Sequence, residues 1–168
     1  MTIHSSFPFP TEDDPVRRLR GRLGGTVSLW TSGTGDGRLD RAGLTVTSLM
    51  VANGSPARVV GLVDPDSDLA AQLSSTERVV VQLLSAQHRA LAEAFAGSTP
   101  APGGPFTLGY FEQTDWGPRL VDAVTWLGAT VESTRELGWS SEVVATIDHL
   151  EVGDDETLFH HRGRYTTL

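Results

Sequence analysis

The stretch Arg41–Val51, RAGLTVTSLMV, decides how this chain is read. It has the composition of a strand, but an oddly hydroxylated one. Successive strand side chains point to opposite faces, so Thr45, Thr47 and Leu49 would line one side and Leu44, Val46, Ser48 and Met50 the other. Two readings stand. Thr is a good strand residue, and the hydroxyls then need no further role. Alternatively they form a wall of donors, since short hydroxyl side chains let a backbone approach a flat ring and still donate hydrogen bonds.

Upstream, TVSLWTSG (Thr26–Gly33) alternates like a strand and leads into GTGDG (Gly33–Gly37), a turn by composition. That glycine cluster precedes a strand and lacks G-x-G-x-x-G spacing, so it is weak as a phosphate loop. Downstream, SPARVVGLV (Ser55–Val63) is an apolar run suggesting burial on both faces. DPDSDLAAQLSS (Asp64–Ser75) reads as a short helix, and RVVVQLLS (Arg78–Ser85) as a further strand. Ser85 then caps AQHRALAEAFAG, whose Leu91, Ala92 and Phe95 form an apolar stripe that Gly97 stops.

Residues 98–118 read as one long loop carrying Phe106, Tyr110, Phe111 and Trp116, as a lid, a subunit contact or plain packing. Three strands close the chain: DAVTWLGATVES, SSEVVATIDHLEV and TLFHHRGRY. At the other end, Met1–Pro10 is an irregular arm. TEDDPVRRLRGRLGG follows as a short helix, with acids and Pro15 at its start, arginines toward its end and Gly24-Gly25 as its stop.

Roughly seven strands with three short helices between them do not alternate as a doubly wound sheet would, so a small β-barrel decorated by helices is expected. The division is residues 1–24 as arm and helix and 25–168 as one β domain.

Composition narrows the chemistry. The 168 residues suffice for one domain with a real core. There is no cysteine, which excludes disulfides, Fe–S clusters, thiolate zinc sites and cysteine nucleophiles. All 13 basic residues are arginine, so no lysine is available for a Schiff base or a P-loop. A net charge of -8 argues against nucleic acid as a partner. The run RRLRGR (Arg17–Arg22) reads as the solvated face of the first helix. No apolar run reaches membrane length and no signal peptide is evident, so a cytoplasmic protein without a membrane partner is expected.

Three segments in order resemble one family. GTVSLWTSGTGDGRLDRAGLTVTSLMVANGSPARVVGLV is similar to the opening of the flavin reductase-like, FMN-binding split-barrel proteins. LLSAQHRALAEAFAGS looks like their next strand-to-helix segment. LFHHRGRYTTL looks like their closing His-x-x-Gly-x-Tyr element, carried by His160, Gly163 and Tyr165. The likeness covers most of Gly25–Leu168.

It implies a mainly β fold, a six- to seven-stranded Greek-key split barrel with short flanking helices. It implies a homodimer binding FMN, or FAD, near the subunit interface. The implied activity is hydride transfer from NADH or NADPH to flavin, with reduced flavin passed to a separate monooxygenase. Carried over onto this sequence, the flavin wall is Thr45, Val46, Thr47 and Ser48, with Ser67, His161, Arg162, Gly163 and Tyr165 as further cofactor contacts. No catalytic side chain is assigned. The alternative is a non-catalytic flavin- or other cofactor-binding homodimer on the same fold.

Two departures from the family pattern motivate that alternative. Where relatives hold the flavin phosphate on polar residues, this chain has Asp64, Asp66 and Asp68, with Ser67 as the one obvious ligand. These acids are also good caps for a helix N-terminus. Where many relatives carry a Gly-Asp-His segment, LGWSSEVV offers Trp139, Ser140 and Ser141 instead, with Trp139 read as core. No metal site is expected: His160 and His161 are adjacent on a strand and face opposite ways. His88 is read as packing or surface.

Overall fold

The computed structural model describes residues 14–37 and 39–168. The arm at Met1–Pro10 lies outside the described residues. Among the described residues, twelve strands follow in chain order. They are β1 (Gly25–Thr26), β2 (Ser28–Gly33), β3 (Arg41–Val46), β4 (Leu49–Ala52), β5 (Arg58–Val63), β6 (Arg78–Leu83), β7 (Phe111–Thr114), β8 (Gly117–Leu120), β9 (Trp126–Leu137), β10 (Ser140–Glu151), β11 (Leu158–His161) and β12 (Arg164–Thr167). Three α-helices accompany them: α1 (Pro15–Leu23), α2 (Asp68–Thr76) and α3 (Arg89–Phe95). The mainly β reading holds.

The opening stretch is not one strand. β3 ends at Val46 and β4 begins at Leu49, leaving Thr47 and Ser48 between them. The consequence is topological. The main sheet has the order β3-β2-β6-β9-β10-β5-β4, so consecutive strands β3 and β4 occupy its opposite edges. Extended chain covers at most ~3.3–3.6 Å per residue, so this connection reaches on the order of 10 Å. Both edges must therefore lie side by side, and the sheet curls into a half-barrel whose seam is Thr47-Ser48. Side chains and backbone stitch the seam: Ser28 Oγ donates to the Val46 carbonyl at 2.7 Å, and the Leu62 N–H to the Ser48 carbonyl at 2.9 Å.

Inside the curl lies a core of Trp30, Val59, Val63, Leu69, Leu73, Val79, Val81 and Val143. Trp30 is its largest member and fully buried. Its indole packs against Gly61, where an added Cβ would lie 2.5 Å from the ring. The expectation that β5 is buried on both faces is corrected here. Val59, Gly61 and Val63 are buried, but Leu62 is exposed, because β5 belongs to an antiparallel sheet with one face open.

A second core fills the space under α3, with Val27, Leu29, Leu84, Leu91, Phe95, Leu120 and Leu158. The sequence stripe Leu91, Ala92, Phe95 is buried there as its spacing indicates.

Two segments are more structured than their sequence suggests. The supposed long loop contains the β7–β8 hairpin, and Phe106 packs edge-on between Phe95 and Phe111, 4.9 Å from each centroid. Packing is thus the role of those two loop phenylalanines, while Tyr110 is 87% exposed. TLFHHRGRY is a hairpin and not a single strand. Arg162 (φ 50°) and Gly163 (φ 76°) make its two-residue turn, and positive φ at both central positions is what the twist of such hairpins requires.

Trp139 is also not core: it sits 61% exposed at the turn between β9 and β10. His88 is buried, accepting from the Ser85 N–H at Nδ1, with Nε2 3.1 Å from the Asp122 carboxylate.

Candidate functional site

A groove of about 900 Å³ opens along the seam. Thr47, Ser48, Leu49 and Met50 form one wall, Val60, Gly61 and Leu62 the floor, and the α1 arginines with His160, Arg162 and Gly163 the far side. The sequence builds it in a simple way. A strand that stops at Val46 frees two hydroxylated residues from ladder pairing, and the one-sided burial of β5 turns Leu62 outward beside them. Neither the Thr47 nor the Ser48 hydroxyl is hydrogen-bonded to another described residue. Both residues are half-buried, so the groove presents two vacant polar groups above an apolar floor.

The remaining predicted contacts are distributed unevenly. Thr45 is turned toward α3, where its hydroxyl donates to the Ala92 carbonyl at 2.7 Å. Val46 is buried in the first core. Arg162 and Gly163 line the groove, and the Arg162 N–H donates to the Gly21 carbonyl at 3.0 Å. His161 lies beside them, its Nε2 3.2 Å from the Arg22 carbonyl, so the terminal hairpin is clipped to the end of α1.

Tyr165 packs edge-on against His160 at 5.0 Å and lies under the Arg89 guanidinium. Ser67 stands apart from the groove, capping α2: its hydroxyl donates to the Asp64 carbonyl and accepts from the Ala70 N–H. Asp64 in turn accepts from the Asp66 N–H at 2.9 Å.

Sequence reasoning missed two groups. The apolar residues were missed for two reasons: strand alternation was carried across the break before Leu49 and Met50, and β5 was read as buried on both faces, which hid Leu62. The arginines of α1 are the solvated face their sequence indicates, but what the sequence reading missed is that Arg17, Arg18, Arg20 and Arg22 also border the groove. Glu142 also borders it, but its carboxylate is engaged by Arg135, 2.7 Å away, whose hydrogen bond holds it below the usual carboxylate range.

Burial pushes the Tyr165 phenol above its ordinary range, reinforced by the negative charge of Glu93 and opposed by Arg89. The chain has two tyrosines, so Tyr110→Phe leaves Tyr165 as its sole phenol. An absorbance titration of that variant should give a midpoint above that of the same chain in urea. A raised pKa means that the contribution to stability is fully present below the unfolded value of about 10, and is lost as pH rises through the folded value. Coincident midpoints would contradict the packing of this ring.

Comparison with known proteins bears on what such a groove holds. A family model described as the flavin reductase like domain matches residues 20–168. The FMN reductase (NADH) RutF of Ancylobacter novellus is 30% identical over 154 residues, covering 90% of this chain and 83% of that protein. The 4-hydroxyphenylacetate 3-monooxygenase reductase component of Pseudomonas aeruginosa is 25% identical over 142 residues, covering 81% and 79%. Among solved structures, flavin reductase PheA2 in its native state superposes with a TM-score of 0.82 at 18% identity, covering 94% of this chain and 99% of that one. That likeness establishes the shared fold, and with the family model spanning nearly the whole chain, this chain belongs to the flavin reductase like domain family.

Proposed function

We propose that this protein is an NAD(P)H-dependent flavin reductase that takes FMN or FAD in the seam groove and supplies reduced flavin to a separate monooxygenase. The observation carrying this reading is the pairing of two vacant hydroxyls, on Thr47 and Ser48, with an apolar floor of Val60 and Leu62 that Met50 flanks. That donor set suits a flat heteroaromatic ring with one polar edge. Gly61 faces the other way, against the buried Trp30, and no side chain could be added there without displacing that ring and the strand that carries Leu62.

A flavin held here would supply the redox chemistry, as the group that takes up the hydride of the nicotinamide and leaves in reduced form. The chain's own part is placement and electrostatics. The Thr47 and Ser48 hydroxyls donate to the polar edge, where fixed donors stabilise negative charge as it develops. Leu62 and Met50 exclude water from the ring. The proposal includes a cytoplasmic homodimer, supported by exposed apolar Met50 and Val51 on edge strand β4 and Leu137 at the tip of β9.

A second reading is a flavin-binding protein without reductase activity. The acids capping α2 and the Trp139-Ser140-Ser141 segment favour it, since neither offers a cofactor ligand of the usual kind.

One experiment separates these readings. Purified protein is titrated with FMN and its visible spectrum followed, and NADH oxidation is then measured at saturating flavin. Flavin uptake with turnover is expected. Uptake without turnover establishes the second reading, and no uptake of any flavin defeats both.

A further inference from the structure

The α1 arginines form an unusual grouping. In a chain of net charge -8, five of the 13 arginines border one groove: Arg17, Arg18, Arg20, Arg22 and Arg162. Among the described residues, none of the five guanidinium groups is paired with a carboxylate. The other groove-side charge, Glu142, is already neutralised by Arg135.

Helix electrostatics do not account for the grouping. Arg20 and Arg22 suit the last turn of α1, where carbonyls point outward. Arg17 and Arg18 lie near the opposite end, where the dipole disfavours cations and the one described acid is the N-cap Asp14, whose carboxylate accepts from the Val16 N–H. The spacing adds repulsion, because Arg17 meets Arg20 at i,i+3 and Arg18 meets Arg22 at i,i+4. Nor does packing explain it, since α1 contributes no buried residue. What the arrangement does offer is a bank of planar, permanently charged donors, suited to bidentate contact with phosphate.

Its length is informative too. From Arg17 to Arg22 the helix rises about 7–8 Å, more than one phosphate group needs. The α2 N-terminus is a poor alternative: Ser67 Oγ already accepts from the Ala70 N–H, and Asp64, Asp66 and Asp68 would meet a phosphate with like charge.

We propose that the α1 arginines, with Arg162, are the site for the diphosphate of a dinucleotide whose ring system enters the seam groove. The shared chemistry is the diphosphate bridge, carried either by FAD or by NAD(P)H. This rests on the reading of the groove as a flavin reductase site, and it assigns the phosphate-binding role to α1 instead of the acid-capped helix. Binding is then steeply salt-dependent and favours ligands with two or more phosphates over FMN, while riboflavin, which has none, is indifferent to α1.

The test uses the full chain and the variant Arg17→Gln/Arg18→Gln/Arg20→Gln, whose substitutions lie on exposed positions of a helix that buries nothing. Affinities for riboflavin, FMN and FAD are measured by flavin fluorescence, and KM for NADH and NADPH by turnover, at low and high salt. The expected result is a loss of at least about tenfold for the diphosphate ligand seated here, with riboflavin unchanged and the salt dependence flattened.

Loss confined to FAD assigns the bank to the flavin. A raised KM confined to NADH or NADPH assigns it to the nicotinamide dinucleotide. Unchanged affinities for every phosphate-bearing ligand overturn the proposal while leaving the flavin reductase reading intact. Equal loss for riboflavin also overturns it, because the effect would not run through phosphate. If the wild-type chain neither binds riboflavin nor oxidises NADH, the underlying reading fails and this proposal falls with it.

Discussion

Replacing Trp30 with alanine is expected to cost about 3–5 kcal/mol of stability, the range for removing a fully buried large aromatic side chain. At roughly 2–4 °C per kcal/mol for a chain of this size, Tm should fall by on the order of 10 °C. The size of the effect follows from position. Trp30 is fully buried, packs on Gly61 and donates from its indole N–H to Ser28 Oγ at 3.0 Å. That same hydroxyl donates onward to the Val46 carbonyl, so the side chain both fills the half-barrel and braces its seam. Trp30→Phe keeps most of the packing and should lose clearly less. Calorimetry on the three proteins decides the matter, and a Trp30→Ala chain melting within a degree or two of wild type would refute this account of the core.

Leu62→Glu should have the largest effect on function without a comparable effect on folding. Leu62 is 36% exposed and lines the groove floor, so stability should change by no more than about 0.5 kcal/mol. A carboxylate there must be partly desolvated beneath a bound ring, at a cost of about 2–3 kcal/mol, which is a loss of roughly 30- to 150-fold in flavin affinity. Fluorescence titration measures that affinity, and Leu62→Met, apolar and flexible, should bind normally. Undiminished flavin binding by Leu62→Glu would place the ring somewhere other than this floor.

The elements of the fold were legible where local periodicity was strong. The strand at TVSLWTSG, the cap at Ser85 and the stripe Leu91, Ala92, Phe95 appear in the structure where pattern and stop signals locate them. Yet β2 is buried on both faces, and α2 is capped by Ser67, which the sequence reading takes for a phosphate ligand. What failed was continuity. RAGLTVTSLMV contains no glycine or proline at Thr47-Ser48 to mark a break, because the break is imposed by the curl of the sheet and not by local propensity. The same holds for HHRGRY, where Arg162 adopts a left-handed conformation with only its neighbour Gly163 as a cue.

The groove was half legible. Its hydroxyls could be named from sequence, but the residues opposite them come from α1 and the terminal hairpin, and only tertiary packing brings these together. Charge that opposes its own helix dipole, as at Arg17 and Arg18, was the one sequence signal that α1 serves something outside itself.

The seam also governs the order in which this chain can fold as it is made. β2 with β3 and β4 with β5 are local hairpins that emerge early, yet they share no ladder with each other. The strand that joins β5 to the rest is β10, which ends at Glu151. At ~5–20 residues per second, translation leaves the two hairpins waiting for several seconds with pairing edges unfilled. During that interval Val59 and Val63 have no roof, and slow elongation or a ribosomal pause after Val63 would lengthen their exposure. The yield of native protein from this sequence is therefore tied to the speed at which its second half is synthesised.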